Sequence, residues 1–106
     1  MNSIIRTEEF ATWLDGLRDA KAKARIISRL DLAKLGNFGD CKPAGEGISE
    51  MRIDFGPGYR VYLFRRELQL YVVLVGGDKS TQDRDIKRAK QLMQQLKESK
   101  YGKAKN

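Results

Sequence analysis

With 106 residues, 41% hydrophobic and 33% charged, the chain can bury one core unaided and is too short for two. The absence of His and the presence of a single Cys, Cys41, exclude an imidazole triad, an internal disulfide and a Cys/His zinc site, and no cofactor or metal is expected. The net charge of +7 favours a nucleic-acid partner, slightly ahead of a soluble basic surface with no particular partner.

Met1–Arg6 has no long apolar stretch of the secretory kind, and no run approaches the roughly 18 to 20 apolar residues of a membrane span. The chain is expected in the cytoplasm, away from membranes. Ser3–Arg6, with β-branched Ile4 and Ile5, predicts a first strand. Thr7 then reads as an N-cap, with Glu8 and Glu9 facing the positive end of a helix dipole. Phe10, Trp13, Leu14 and Leu17 form one apolar face, and Trp13 is read as core. A second helix is expected from about Ala20 to Leu35, burying Ala22, Ile26, Ile27, Leu30 and Ala33 and stopping at Gly36. Gly16 and Asp19 between the two predict a helical hairpin. Asn37–Gly47, with three Gly and one Pro, predicts a loop, and its Cys41 has no neighbouring base.

The period then falls to two. Ser49, Met51, Ile53 and Phe55 alternate with Ile48, Glu50, Arg52 and Asp54, as on the two faces of a strand. After Gly56-Pro57-Gly58 a strand resumes over Tyr59–Phe64, and Arg65–Glu67 reads as a tight turn. Tyr59, Tyr62 and Tyr71 are read as packing residues rather than base-stacking platforms. Leu68–Val75 is almost wholly apolar and predicts a strand buried on both faces, ended by Gly76-Gly77-Asp78. No Walker spacing surrounds those glycines, so a turn is expected there rather than a phosphate cradle. Ser80 with Asp83 resembles a capping box opening a final helix, with Ile86, Ala89, Met93 and Leu96 as its apolar stripe. Most of the excess charge falls here: residues 79–106 hold nine Lys/Arg against three Asp/Glu, and residues 1–78 twelve against eleven. The expected architecture is α+β, an antiparallel meander with helices on one side, as a single domain over 1–99 with a basic flexible tail over 100–106.

Four residues stand out as chemistry. Arg52 and Asp54 share a strand face, because residues two apart point the same way. Arg60, across the Gly-Pro-Gly turn, joins that face or turns from it according to the register. Lys79 lies just past the buried strand, at a sheet edge. Together they would make a cationic face holding one carboxylate. RNA can be cut without metal when a 2′-hydroxyl attacks the adjacent phosphorus. That chemistry needs a base, an acid and fixed cations on the phosphoryl oxygens, and Arg suits the last role. Without His, the base must be a carboxylate, a Lys or a Tyr. Asp54 is the nearest carboxylate, with Lys79 or a Tyr as acid. The plain alternative is an Arg52–Asp54 surface salt bridge on a solvated sheet.

GEGISEMRIDFGPGYRVYLF at residues 45–64 and VLVGGDKSTQDRDIKRAKQL at 73–92 resemble the RelE/ParE superfamily of bacterial toxins, nearest its HigB-like addiction module killer protein branch. The resemblance implies a microbial RNase-like fold, two N-terminal helices against an antiparallel sheet with a C-terminal helix. It implies a toxin of a type II toxin–antitoxin system, a metal-independent endoribonuclease cleaving mRNA in the ribosomal A site. It also implies a cognate antitoxin, a HigA-like helix-turn-helix protein through which alone operator DNA is reached. Arg60 in GYRVY matches the phosphate-holding Arg, Arg52 in MRID a basic residue of the preceding strand, and Lys79 in GGDKS a basic residue aiding the leaving group or phosphate. Acid and base stay open. Where RelE has a strand Lys this chain has Asp54, the region Asp83–Ala89 lacks the last-helix Tyr of RelE, Tyr101 lies too far along, and a C-terminal His is absent. The other readings are a ParE-like DNA gyrase poison and a nucleic-acid-binding remnant without toxicity.

Overall fold

In the computed structural model, which describes the backbone of residues 1–105 and the side chains of residues 1–98, both N-terminal helices start at side-chain caps, the first of them at the expected Thr7. Thr7 Oγ1 accepts the Phe10 N–H at 3.0 Å and opens α1, Glu8–Asp15. Asp19 accepts the N–H groups of Lys21 and Ala22 and opens α2, Ala20–Lys34. Gly36, at φ +94°, takes the left-handed position that ends α2.

The sheet has five strands: β1 Ser3–Arg6, β2 Cys41–Gly45, β3 Ile48–Ile53, β4 Tyr59–Glu67 and β5 Leu70–Asp78, in the order β1-β5-β4-β3-β2. β2 to β5 pair antiparallel, but β1 pairs parallel with β5, so the sheet is mixed rather than antiparallel throughout. A parallel pair needs a long connection, and residues 7–69 supply one. Part of the stretch read as loop is also strand. Pro43 in β2 lies on the sheet edge, where a missing N–H can face outward. Glu46 and Gly47, at φ +55° and +88°, turn β2 into β3.

Helices cover both faces, not one. On the first, Phe10, Leu14, Ile26 and Leu30 pack with Met51, Ile53, Val61, Leu63 and Val73. On the second, Ile48, Tyr62, Phe64, Val72 and Leu74 pack with Ala89 and Met93 of α3, Gln82–Lys105. Val61–Phe64 and Val72–Val75 are buried without a break, and cover on one side would leave half of them in water. The result is α+β with N- and C-terminal helices about a central sheet, in keeping with a RelE-like fold.

Three turn assignments shift. β4 runs through Glu67, so the hairpin turn is Leu68-Gln69, with Gln69 at φ +64° and Leu68 83% exposed rather than buried. Gly76 and Gly77 continue β5 instead of ending it. Asp78, not Ser80, is the cap: with Thr81 it forms a capping box around a 3-10 turn, Lys79–Thr81, ahead of α3. The backbone of α3 continues to Lys105, and the basic flexible tail expected over 100–106 falls on residues whose side chains lie outside the described ones. No helix among the described residues is long and apolar enough to cross a membrane.

Candidate functional site: a cationic cleft at the open end of the sheet

Register builds the site. Arg52 of β3 lies opposite Arg60 of β4, and Arg60 opposite Gly77 of β5. Directly paired residues share a face, so Arg60 joins Arg52 on the side that α3 covers, and Asp54 follows on the same side. Lys79 enters from the 3-10 turn, where its backbone N–H donates to the Gly58 carbonyl at 2.9 Å. That bond ties the Gly-Pro-Gly turn to the end of β5. Arg52, Asp54, Arg60 and Lys79 thus line one open cleft of about 280 Å³, together with Asp40, Ile53 and Gly58.

The cleft's charges are only partly matched. Arg52 Nη2 donates to Asp40 Oδ1 at 2.9 Å, so its carboxylate partner is Asp40 and not Asp54. This hydrogen bond holds the Asp40 carboxyl below its ordinary range and raises the Arg52 guanidinium. Arg29 of α2 braces the pair from behind, donating to the carbonyls of Arg52 at 2.6 Å, Phe38 at 3.1 Å and Asp40 at 3.3 Å. Gly39, at φ +66°, lets the chain pass against that guanidinium, where a Cβ would stand 2.8 Å from Nη2. Among the described residues no carboxylate ion-pairs with Arg60 or Lys79. The Nε atoms of Arg52 and Arg60 are buried without an acceptor.

Beneath the two arginines lies a satisfied polar cluster. Glu50 is 5% exposed and Tyr62 fully buried. Tyr62 Oη donates to Glu50 Oε2 at 3.1 Å, and Gln82 Nε2 donates to the same oxygen at 2.7 Å. Burial, reinforced by the Glu50 charge, pushes the Tyr62 phenol strongly upward and keeps it protonated. Tyr59 packs edge-on to Trp13 and Tyr71 against Phe38, so all three strand tyrosines are packing residues as expected. None of them lines the cleft.

Asp40, Arg29, Glu50 and Gln82 escaped the reading of the sequence. Asp40 had one usable signal: a strand at Cys41–Gly45 would have set it beside Arg52, whose N–H donates to its carbonyl at 2.9 Å. Gly76 and Gly77 also find their reason here. A Cβ on Gly76 would overlap the half-buried Trp13 ring, and one on Gly77 the Asp85 carboxylate on the opposite face. Asp85 accepts the Thr81 Oγ1 hydrogen at 2.5 Å, so both glycines let flanking elements lie flat on β5.

Cys41 is half-buried in β2, its Sγ–H directed at the Phe38 carbonyl, and burial raises its thiol pKa. It is not an activated nucleophile.

Residues 12–95 match the family model described as "Phage derived protein Gp49-like (DUF891)". A Haemophilus influenzae protein, described as "Uncharacterized protein", is 52% identical over 90 residues, 85% of this chain and 91% of that protein. The match takes in β3, β4, β5 and the start of α3, the elements that carry the cleft. The chain therefore belongs to the Gp49-like phage-derived family, a RelE- and toxin-like family.

Proposed function

We infer that this chain is the toxin of a type II toxin–antitoxin pair and cuts mRNA on the ribosome without a metal, as a HigB-like endoribonuclease. The observation that carries the reading is the convergence of Arg52, Arg60 and Lys79 with Asp54 on one open cleft. Arg52 and Arg60 hold the phosphoryl oxygens, where fixed guanidinium donors stabilise charge as it develops. Asp54 takes the proton of the 2′-hydroxyl as its oxygen bonds to phosphorus. Lys79 gives a proton to the departing 5′-oxygen, leaving a 2′,3′-cyclic phosphate and a 5′-hydroxyl. Tyr59, Tyr62 and Tyr71 are packed away from the cleft, which favours Lys79 over these phenols as acid.

The cognate antitoxin in this reading is a HigA-like helix-turn-helix protein, operator DNA is reached only through it, and the toxin works at the ribosomal A site in the cytoplasm. The test is brief induction followed by sequencing of RNA 5′ ends. Cuts inside translated codons, bearing 5′-hydroxyls, are expected. Arg60→Ala should slow them by about 10²–10³ if Arg60 acts on the transition state. Gyrase-trapped DNA breaks with intact mRNA would assign the chain to the ParE-like poisons instead, and unaffected growth would leave a binding remnant.

A further inference from the structure

Among the described residues, the cations lining the cleft make no ion pair, with one exception. The exception is Arg52, and its partner belongs to no core element. Asp40 sits just before β2, its side chain 56% exposed, with its carboxylate on the cleft wall. Its backbone is firmly held, because its carbonyl accepts from the Arg52 N–H and from Arg29 Nη2. Asn37 Oδ1 accepts the Gly39 N–H at 3.2 Å and shapes the approach. The main chain is fixed, so only the side chain need turn for the carboxylate to leave Arg52 for water.

We propose that Asp40 is a resident stand-in for substrate phosphate: its carboxylate occupies Arg52 until an RNA phosphodiester displaces it, and it thereby sets how weakly the free protein binds polyanions. Carboxylate and phosphate compete for the same guanidinium donors, with similar geometry and bond length. While Asp40 is paired, Arg60 and Lys79 are the cleft cations outside any ion pair among the described residues, and an incoming phosphate meets them first. An RNA held by the cleft alone gains little from displacing Asp40. An RNA also held elsewhere, as on a ribosome, reaches Arg52 at no extra cost in association entropy. Asp40 is then a specificity residue that restrains binding to stray nucleic acid. The inference rests on the phosphate-binding reading of the cleft and requires no cleavage.

The test is binding of a short single-stranded 2′-O-methyl oligoribonucleotide, which lacks the nucleophile and cannot be cut, at low salt. Asp40→Asn should bind it about 3- to 10-fold more tightly than wild type, from a lost like-charge repulsion and a released guanidinium. The gain should vanish in the Arg52→Ala background. Unchanged or weaker binding overturns the proposal, as does an equal gain without Arg52, which would reduce Asp40 to a contributor of net charge. Asp40→Ser serves as a second variant and should show the same gain. Loss of the folded circular dichroism spectrum by both would make Asp40 structural and also overturn it. The outcomes separate from those of the nuclease reading. A binding gain in a protein that never cuts mRNA sinks the nuclease alone. Normal cutting with a neutral Asp40→Asn sinks the stand-in alone.

Discussion

Two neighbouring rows of one sheet face behave oppositely. In the first, Glu50 and Tyr62 are buried, and the carboxylate takes hydrogen bonds from Tyr62 and Gln82. In the second, two residues along β3, Arg52 faces Arg60 with both Nε donors unmet and like charges opposed across the strands. The strands, face and pleat are the same. What differs is cover: Gln82 is the first residue of α3, and before it the chain passes through the 3-10 turn Lys79–Thr81. The start of one helix marks where core ends and cleft begins. Polar groups under the helix are satisfied and stabilise; past it, two buried Nε donors have no acceptor among the described residues.

That contrast can be broken by substitution. Glu50→Ala should be the most damaging, because it strands the Tyr62 hydroxyl and the Gln82 amide without their acceptor. About 2–4 kcal/mol of unfolding free energy should be lost in a urea titration. Gly77→Ala comes next. Its new Cβ meets the Asp85 carboxylate that anchors the first turn of α3, and about 1–3 kcal/mol should be lost as that turn shifts. Arg60→Met should go the other way, leaving stability unchanged or raising it by up to about 1 kcal/mol. It removes an unmet donor and a like-charge pair while keeping an apolar stem. If Arg60→Met costs as much as Glu50→Ala, the two rows are alike and the contrast is false.

Local patterns in the sequence reached the elements and most of the cleft. The Thr7 cap, the faces of α1 and α2 and the alternation across β3 depend on neighbours within a few residues, and all are legible. Spacing and resemblance point to Arg52, Asp54, Arg60 and Lys79, and the four line one cleft. What stayed hidden depends on distant partners. Cys41–Gly45 carries Pro and Gly yet is a strand, because β3 offers a free edge. Gly76-Gly77 reads as a turn; the ring of Trp13, distant in sequence, and the Asp85 and Thr81 side chains brought back over β5 explain two bare residues in a strand. Asp40 reads as a loop carboxylate until β2 pairs with β3. Glu50 reads as an exposed strand residue until α3 arrives with Gln82.

The smallest expected effect lies at the rim, where α3 is tied to α1 through an exposed ion pair. Arg88 Nη2 donates to Glu9 Oε1 at 2.8 Å, and Nε to Oε2 at 3.0 Å. The hydrogen bond from Arg88 holds the Glu9 carboxyl below its ordinary value of 4.5. A carboxylate whose folded pKa is depressed stabilises the fold above its unfolded pKa, and that contribution fades as pH falls through the folded value. Arg88→Ala should therefore lower stability only slightly near neutral pH, as solvent screens a partly exposed pair. The gap from wild type should close once Glu9 is protonated in both proteins, well below its ordinary pKa. Asp78, lowered by its bonds from Ser80, titrates alike in both and cancels from the difference. Thermal melts across the acid range read the gap directly. A gap that persists at the acid end would mean that the Arg88 stem packs α3 onto α1 through apolar contact, and that the rim is an extension of the core.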